Sequence, residues 1–217
     1  MADEREPQQE RSLARRAVIL DAAASAFDRV GYGTASLSEI AREAEVGQGL
    51  IYFYFRTKEA LALAVIEEQN RRTFSVMADV AAATSSPIAT LVRASRGIGE
   101  LLLTDAVVRA GIRLSLEQGI FAEPTSDFYD QWIDGVIDGF EAARAAGEIT
   151  ELVGVRELGL SVVSYFTGVQ LVSNVRTGRS DLIVTLRTMW TLLVSAVASP
   201  TEREHLLDVV YGVFPEE

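Results

Sequence analysis

Apolar residues recur at three- and four-residue intervals along almost the whole chain, and no set of segments alternates with a period of two. That spacing lines side chains along one stripe of an α-helix, whereas a half-buried strand needs every second residue apolar. The chain is therefore expected to be all-α. Leu13, Val18, Ile19, Ala22, Ala23, Ala26 and Phe27 make the first repeat, and Gly31 ends it. A second helix is expected over Leu37–Ala44, where Ser36 and Glu39 have the chemistry of a capping box. A turn at Glu45–Val46 leads to a short helix over Gln48–Tyr54, and a long one follows Thr57 towards Val80. The Ala-Thr-Ser-Ser-Pro stretch at 83–87 reads as the clearest linker. Six more helices are expected at 88–103, 105–118, 125–146, 155–177, 181–198 and 201–213. Breaks are expected at Gly119–Pro124, Gly147–Gly154, Thr177–Ser180 and Pro200. The architecture so predicted is a three-helix head joined by a connecting helix to a larger helical body.

Charge bears on what such a head can bind. The net charge of −11 over 217 residues opposes non-specific attachment to nucleic acid. Between Ser12 and Ala60, however, six basic side chains balance six acidic ones, so a polyanion can dock there without general repulsion. The absence of cysteine excludes disulfide and thiolate chemistry and suits a reducing cytoplasm. The N-terminal stretch is polar and charged, which argues against a secretory leader. Leu158–Val175 is long enough to cross a bilayer, but it carries Ser161, Ser164, Thr167, Gln170, Ser173 and Asn174. A buried helix is expected there, and no membrane association.

Two short helices with a tight turn between them, backed by an amphipathic first helix, have the form of a helix-turn-helix, whose second helix enters the DNA major groove. Ile40, Ala41, Ala44, Val46, Ile51 and Phe55 are the expected small core. Removing them leaves Gln48, Gly49, Tyr52, Phe53 and Tyr54 facing outward. A glutamine can pair with an adenine edge, and Phe53 can touch a thymine methyl. Tyr52 and Tyr54 can donate to phosphates, Gly47 and Gly49 allow close backbone approach, and Lys58, the chain's single lysine, stands beside the free N–H groups of a helix start. Large apolar residues are usually buried. A helix this short, though, cannot bury four successive aromatics on one face.

The stretch SLSEIAREAEVGQGLIYFYFRTKEAL (36–61) resembles the signature of TetR-type transcriptional repressors: a Thr/Ser-rich cap, I-A-x-x-A-x-V, an aromatic pair and K-E-x-L. The resemblance implies a dimer that sets two recognition helices in successive major grooves of a palindromic operator. It assigns phosphate contacts to Tyr52, Tyr54 and Lys58 and places Gln48 in the base-reading region. Ser36 and Ser38 are expected to belong to the DNA-contacting set as well. Three positions depart from the pattern. Tyr54 stands where His is usual, Glu45 where Gly is usual, and Gly47 where a Ser/Thr cap is usual. A Gly cap costs only a few tenths of a kcal/mol.

In the body, VVRAGIRLSLEQG (107–119), Pro124, Trp132 and FTGVQLVSNVRTGRSDL (166–182) resemble the γ-butyrolactone-receptor branch of that family. The resemblance implies a small lactone or furan autoregulator stacked on Trp132, with its oxygens bound by Gln69 and Thr167. An indole wall with one amide and one hydroxyl suits a lactone. Taken singly, a lone Trp is usually just buried, and a helical Thr usually bonds its own backbone. Helices 155–177 and 181–198, apolar on more than one face, are the expected dimer interface. Trp190 and Met189 belong either to that interface or to the body core. His205 is expected on the solvated surface.

The expected division is a DNA-binding domain over 1–56 and a ligand-binding and dimerisation domain over 57–217. The expected function is a homodimeric repressor of double-stranded operator DNA, released by the autoregulator. The alternative is a pseudo-receptor of the same fold answering to an antibiotic or biosynthetic intermediate. An enzyme needs a nucleophile, base or metal cluster, and the sequence offers no catalytic residue, metal site or cofactor motif.

Overall fold

The computed structural model describes residues 5–117, 121, 127–150 and 153–215. The expected break at Gly119–Pro124 lies outside these residues, apart from Phe121. Ten helices are described: α1 (Arg5–Thr34), α2 (Leu37–Glu43), α3 (Gln48–Tyr54), α4 (Lys58–Ala83), α5 (Pro87–Thr104), α6 (Ala106–Leu116), α7 (Asp127–Ala145), α8 (Val155–Thr177), α9 (Leu182–Val197) and α10 (Arg203–Val213). The chain is all-α, as the periodicity demands. Among the described residues, the bridge between Ile149 and Ala198 is isolated and belongs to no strand.

The helices fall into two compact units: Met1–Thr73 with Thr104–Thr125, and Phe74–Leu103 with Ser126–Glu217. The Ala83–Pro87 stretch is only a short connection, since α5 starts at Pro87. The unit boundaries fall elsewhere, within α4 and at the end of α5.

In the first unit α1, α2, α3 and the first part of α4 close round a core of Ile19, Ala23, Phe27, Ile40, Ile51 and Leu61, each fully buried. Burying an Ile, Leu or Phe side chain contributes about 1.5–3 kcal/mol. The sequence did not announce that α6, more than forty residues further on, completes this core with Val107, Ala110 and Leu114. Polar ties hold it to α1: Arg109 Nε donates to Asp28 Oδ2 at 2.7 Å, and Arg113 Nη1 to the Asp28 carbonyl at 3.0 Å. Above that tie α1 breaks at Gly31, whose φ of 78° and ψ of 166° are not helical, and a last turn runs on to Thr34.

Leu13 and Val18 correct the expected stripe of α1, being 59% and 49% exposed. At 100° per residue, Ser12 and Arg16 share the face of Ile19 and Ala23, while Leu13 and Val18 stand about 100–120° away. In the early turns of α1 the inward positions, Ser12 and Arg16, are thus polar. They serve α3, as shown below.

In the second unit α7 packs on α8, and α8 and α10 pack on α9. Phe128, Phe140, Val163, Phe166, Leu186 and Met189 are buried there. Buried Glu148 accepts from the Ile88 N–H at 2.8 Å and so satisfies a free donor at the start of α5. The inward face of α8, including Leu158, Val162 and Phe166, is buried. α8 is therefore the core helix its polar residues predicted.

Candidate functional site

The turn between α2 and α3 is built from local chemistry. Ser36 Oγ accepts from the Glu39 N–H at 3.2 Å, and the Ser36 N–H donates to Glu39 Oε2 at 3.2 Å, so the capping box is complete. The Ser36 hydroxyl, which donates to Glu39 Oε2 at 2.8 Å, and then the Ser36 N–H hold the Glu39 carboxyl below its usual pKa. The Ser36 hydroxyl is within 3.1 Å of Ser38 Oγ, and Ser38 is exposed. Arg29 bridges α1 to Glu43 of α2 at 3.0 Å. Glu45 then takes a φ of 55°, the left-handed region, and the Val46 N–H returns to the Ala41 carbonyl at 3.0 Å. That conformation explains why glycine is usual at this position.

Gly47 precedes α3 as its N-cap and offers no side-chain hydrogen bond. Ile51 and Phe55 are buried, with Ala41 and Ala44 beneath the crossing, and Val46 is half-buried. Gln48 and Gly49 are exposed, Tyr52 is 49% exposed and Phe53 76%. Four of the five residues expected on the outer face stand there. Tyr54 differs: it is half-buried, and its hydroxyl lies 2.9 Å from Ser12 Oγ on α1. Arg16, the other polar residue on that stripe, stacks over the Phe55 ring at 5.2 Å.

Lys58 is half-buried, with Nζ 4.4 Å from the centre of the Tyr32 ring, and burial lowers its pKa. Arg56, immediately after the aromatic run, is exposed instead. It is the cation that motif reading passed over. The signal was its place between the end of α3 and the start of α4.

The three residues expected at a ligand stand on three helices, Gln69 on α4, Trp132 on α7 and Thr167 on α8. Trp132 of α7 lines a cavity in the second unit, edge-on to Phe166 with ring centres 5.4 Å apart. Thr167 is half-buried and is not among the lining residues. Gln69 belongs to the first unit, fully buried on α4, where its Nε2 donates to Thr73 Oγ1 at 3.1 Å. Its side chain lies on Gly111 of α6, where a Cβ would come within 2.4 Å, so no larger residue fits without displacing it. The Gln69 Oε1 has no hydrogen-bond partner among the described residues.

The cavity is about 30 Å³, room for roughly one water molecule. Trp132 and Trp190, the chain's two tryptophans, both line it, together with Met77, Ser95, Phe166 and Met189. Its wall bears no ionisable side chain. Trp190 and Met189 therefore belong to the body core. His205 is exposed as expected. On α8 and α9, Leu160, Val172, Val175, Val184 and Leu192 are all more than half exposed, Val175 reaching 84%.

Comparisons agree with this geometry. Residues 19–65 match the family model for bacterial regulatory proteins of the tetR family, and residues 85–199 match the tetracyclin repressor-like C-terminal domain. The chain is 36% identical to the A-factor receptor protein of Streptomyces griseus over 188 residues, 87% of this chain. It spans 65% of that receptor's own length. The fold is similar to that of a γ-butyrolactone receptor described as ArpA-like, with a TM-score of 0.83 and 28% identity, covering 95% of this chain and 100% of the other. It is equally similar to CprB from Streptomyces coelicolor in complex with its biological operator sequence, with a TM-score of 0.83 and 26% identity over the same shares.

Proposed function

Because the chain belongs to the TetR family of bacterial regulatory proteins, we propose that it is a cytoplasmic, homodimeric transcriptional repressor whose operator affinity is switched by a small lactone- or furan-type autoregulator. Residues 1–56 are the DNA-binding part, and 57–217 bind the ligand and form the dimer. The protein is a regulator and not an enzyme. The carrying observation is the outer face of α3, where Phe53 is 76% exposed between buried Ile51 and Phe55. A large apolar side chain held out from a small head fits contact with a base-pair methyl in the major groove. Gln48, Gly49 and Tyr52 share that exposure, and Ser36, Ser38, Gly47, Tyr54 and Lys58 are proposed to complete the contact with DNA.

The apolar exposure of α8 and α9 supports a two-fold interface in which these helices meet their copies. The names of the relatives, an A-factor receptor and a γ-butyrolactone receptor, support the ligand class. Trp132 is the stacking wall, and Gln69 and Thr167 are proposed to bind oxygens in the ligand-bound conformation. A cavity of about 30 Å³ is far below the ~300–1,000 Å³ of typical ligand sites. Ligand must therefore select a more open body, which gives it the differential affinity that switching requires. Gel shifts on operator DNA test the reading. A saturating γ-butyrolactone should weaken binding at least about tenfold, or about 1.4 kcal/mol of coupling. Equal binding with and without it would sink the effector assignment.

A further inference from the structure

We propose that Ser95 and Trp190 are the donor pair that selects the autoregulator, gripping one neutral carbonyl oxygen between them. The inference rests on the reading of the second unit as a ligand-binding body and specifies the chemistry of its cavity. Ser95 of α5 and Trp190 of α9 are 6% and 2% exposed, and both line the cavity. Among the described residues, neither the Ser95 hydroxyl nor the Trp190 indole N–H has a hydrogen-bond partner. A buried serine on a helix ordinarily bonds the carbonyl four residues back. Ser95 forgoes that bond, and an indole N–H can only donate.

Two unpaired donors in an apolar enclosure favour an acceptor with two lone pairs, which is what a carbonyl oxygen offers. The rest of the wall decides what else enters. No cation is present to receive a carboxylate and no anion to receive an amine, so a charged ligand would lose its hydration uncompensated. The space of about 30 Å³ admits the carbonyl end of a molecule. Its hydrocarbon part must displace side chains, and Met77 and Met189 are the adaptable ones in the wall. The ligand class is thus an uncharged carbonyl compound with an apolar tail.

The test uses the full-length protein and a matched pair of probes, γ-decalactone and 2-hexyltetrahydrofuran, which differ only in the carbonyl. Tryptophan fluorescence reports on this cavity alone, because both tryptophans line it. The wild type should bind the lactone about tenfold or more tightly than the ether, the difference expected for pairing a buried donor. Ser95→Ala and Trp190→Phe should each reduce that preference, and the double variant should abolish it. Trp132 remains as reporter in the latter two. Ser95→Ala should also raise the melting temperature of the free protein, because it removes a buried unpaired hydroxyl; a structural hydroxyl would lower it. A preference retained in the double variant overturns the proposal, as does a wild type that binds both probes equally or neither. Operator gel shifts of the same proteins separate these failures from failure of the repressor reading, since Ser95 and Trp190 lie outside the DNA-binding head.

Discussion

The Tyr54 hydroxyl lies 2.9 Å from Ser12 Oγ, so the last turn of α3 is tied to a residue of α1 forty-two positions earlier. The bond braces the helix proposed to enter the groove. It also occupies the hydroxyl that motif reading assigned to a phosphate. Tyr54→Phe should lower stability by about 0.5–1.5 kcal/mol, the usual net worth of such a bond. Ser12→Ala should cost a similar amount, and the double variant little more than either single one. Urea unfolding of the four proteins measures this coupling. Fully additive losses would mean that the two hydroxyls act independently.

Glu45 occupies a left-handed conformation at φ 55° in the turn between α2 and α3. A residue with a Cβ pays about 1–2 kcal/mol there, and the greater freedom of glycine in the unfolded chain offsets part of the gain from removing it. Glu45→Gly should raise stability by roughly 0.5–1 kcal/mol. It should also raise operator affinity, because Glu45 is an exposed negative charge in the head. An unchanged urea midpoint would contradict the strain.

Phe53 and Arg56 are exposed and contribute little to the core. Phe53→Ala should leave the melting temperature within about 1 °C while weakening operator binding by about 1–3 kcal/mol. Arg56→Ala should weaken binding to all sequences alike and reduce the slope of log affinity against log salt by about one. Lys58→Ala should reduce that slope too, but with a loss of stability from the Tyr32 contact. A variant of Phe53 that binds operator normally would remove the main support for the proposed DNA face.

Glu68 should make the protein acid-sensitive. The bond from Arg71, then that from Arg72, pushes its carboxyl down to about 2, against the opposing effect of burial. Burial also works against the charge on Arg72, but its bonds to Asp105 and Glu68 raise its pKa overall. A carboxyl depressed by folding stabilises above its unfolded pKa of 4.5, and that stability is lost as pH falls towards 2. Glu68→Gln should therefore lower stability at pH 7 and narrow its gap to the wild type between about pH 5 and pH 2. Melting temperatures across that range test it; a constant gap refutes the linkage.

The helices were legible in the sequence because their causes are local. The capping box of Ser36 and Glu39, the Thr57 cap, whose hydroxyl accepts from the Ala60 N–H at 3.0 Å, and the spacing of apolar residues act within a turn or two. The outer set Gln48, Gly49, Tyr52 and Phe53 was legible for the same reason, since a seven-residue helix has few ways to bury its apolar side chains. Tyr54 and Lys58 were less so. Their partners, Ser12 and Tyr32, lie on α1, and no local pattern announces them.

Tertiary structure decided the rest. It placed α6 in the head's core through Val107, Ala110 and Leu114, turned Ser12 and Arg16 inward in place of Leu13 and Val18, and assigned Trp190 to the cavity wall. It also left the Ser95 hydroxyl and the Trp190 indole N–H without a partner among the described residues. A periodic sequence determines which face of a helix is apolar. Which distant helix covers that face, and which polar atom is left there without a partner, depends on close packing between segments far apart in the chain.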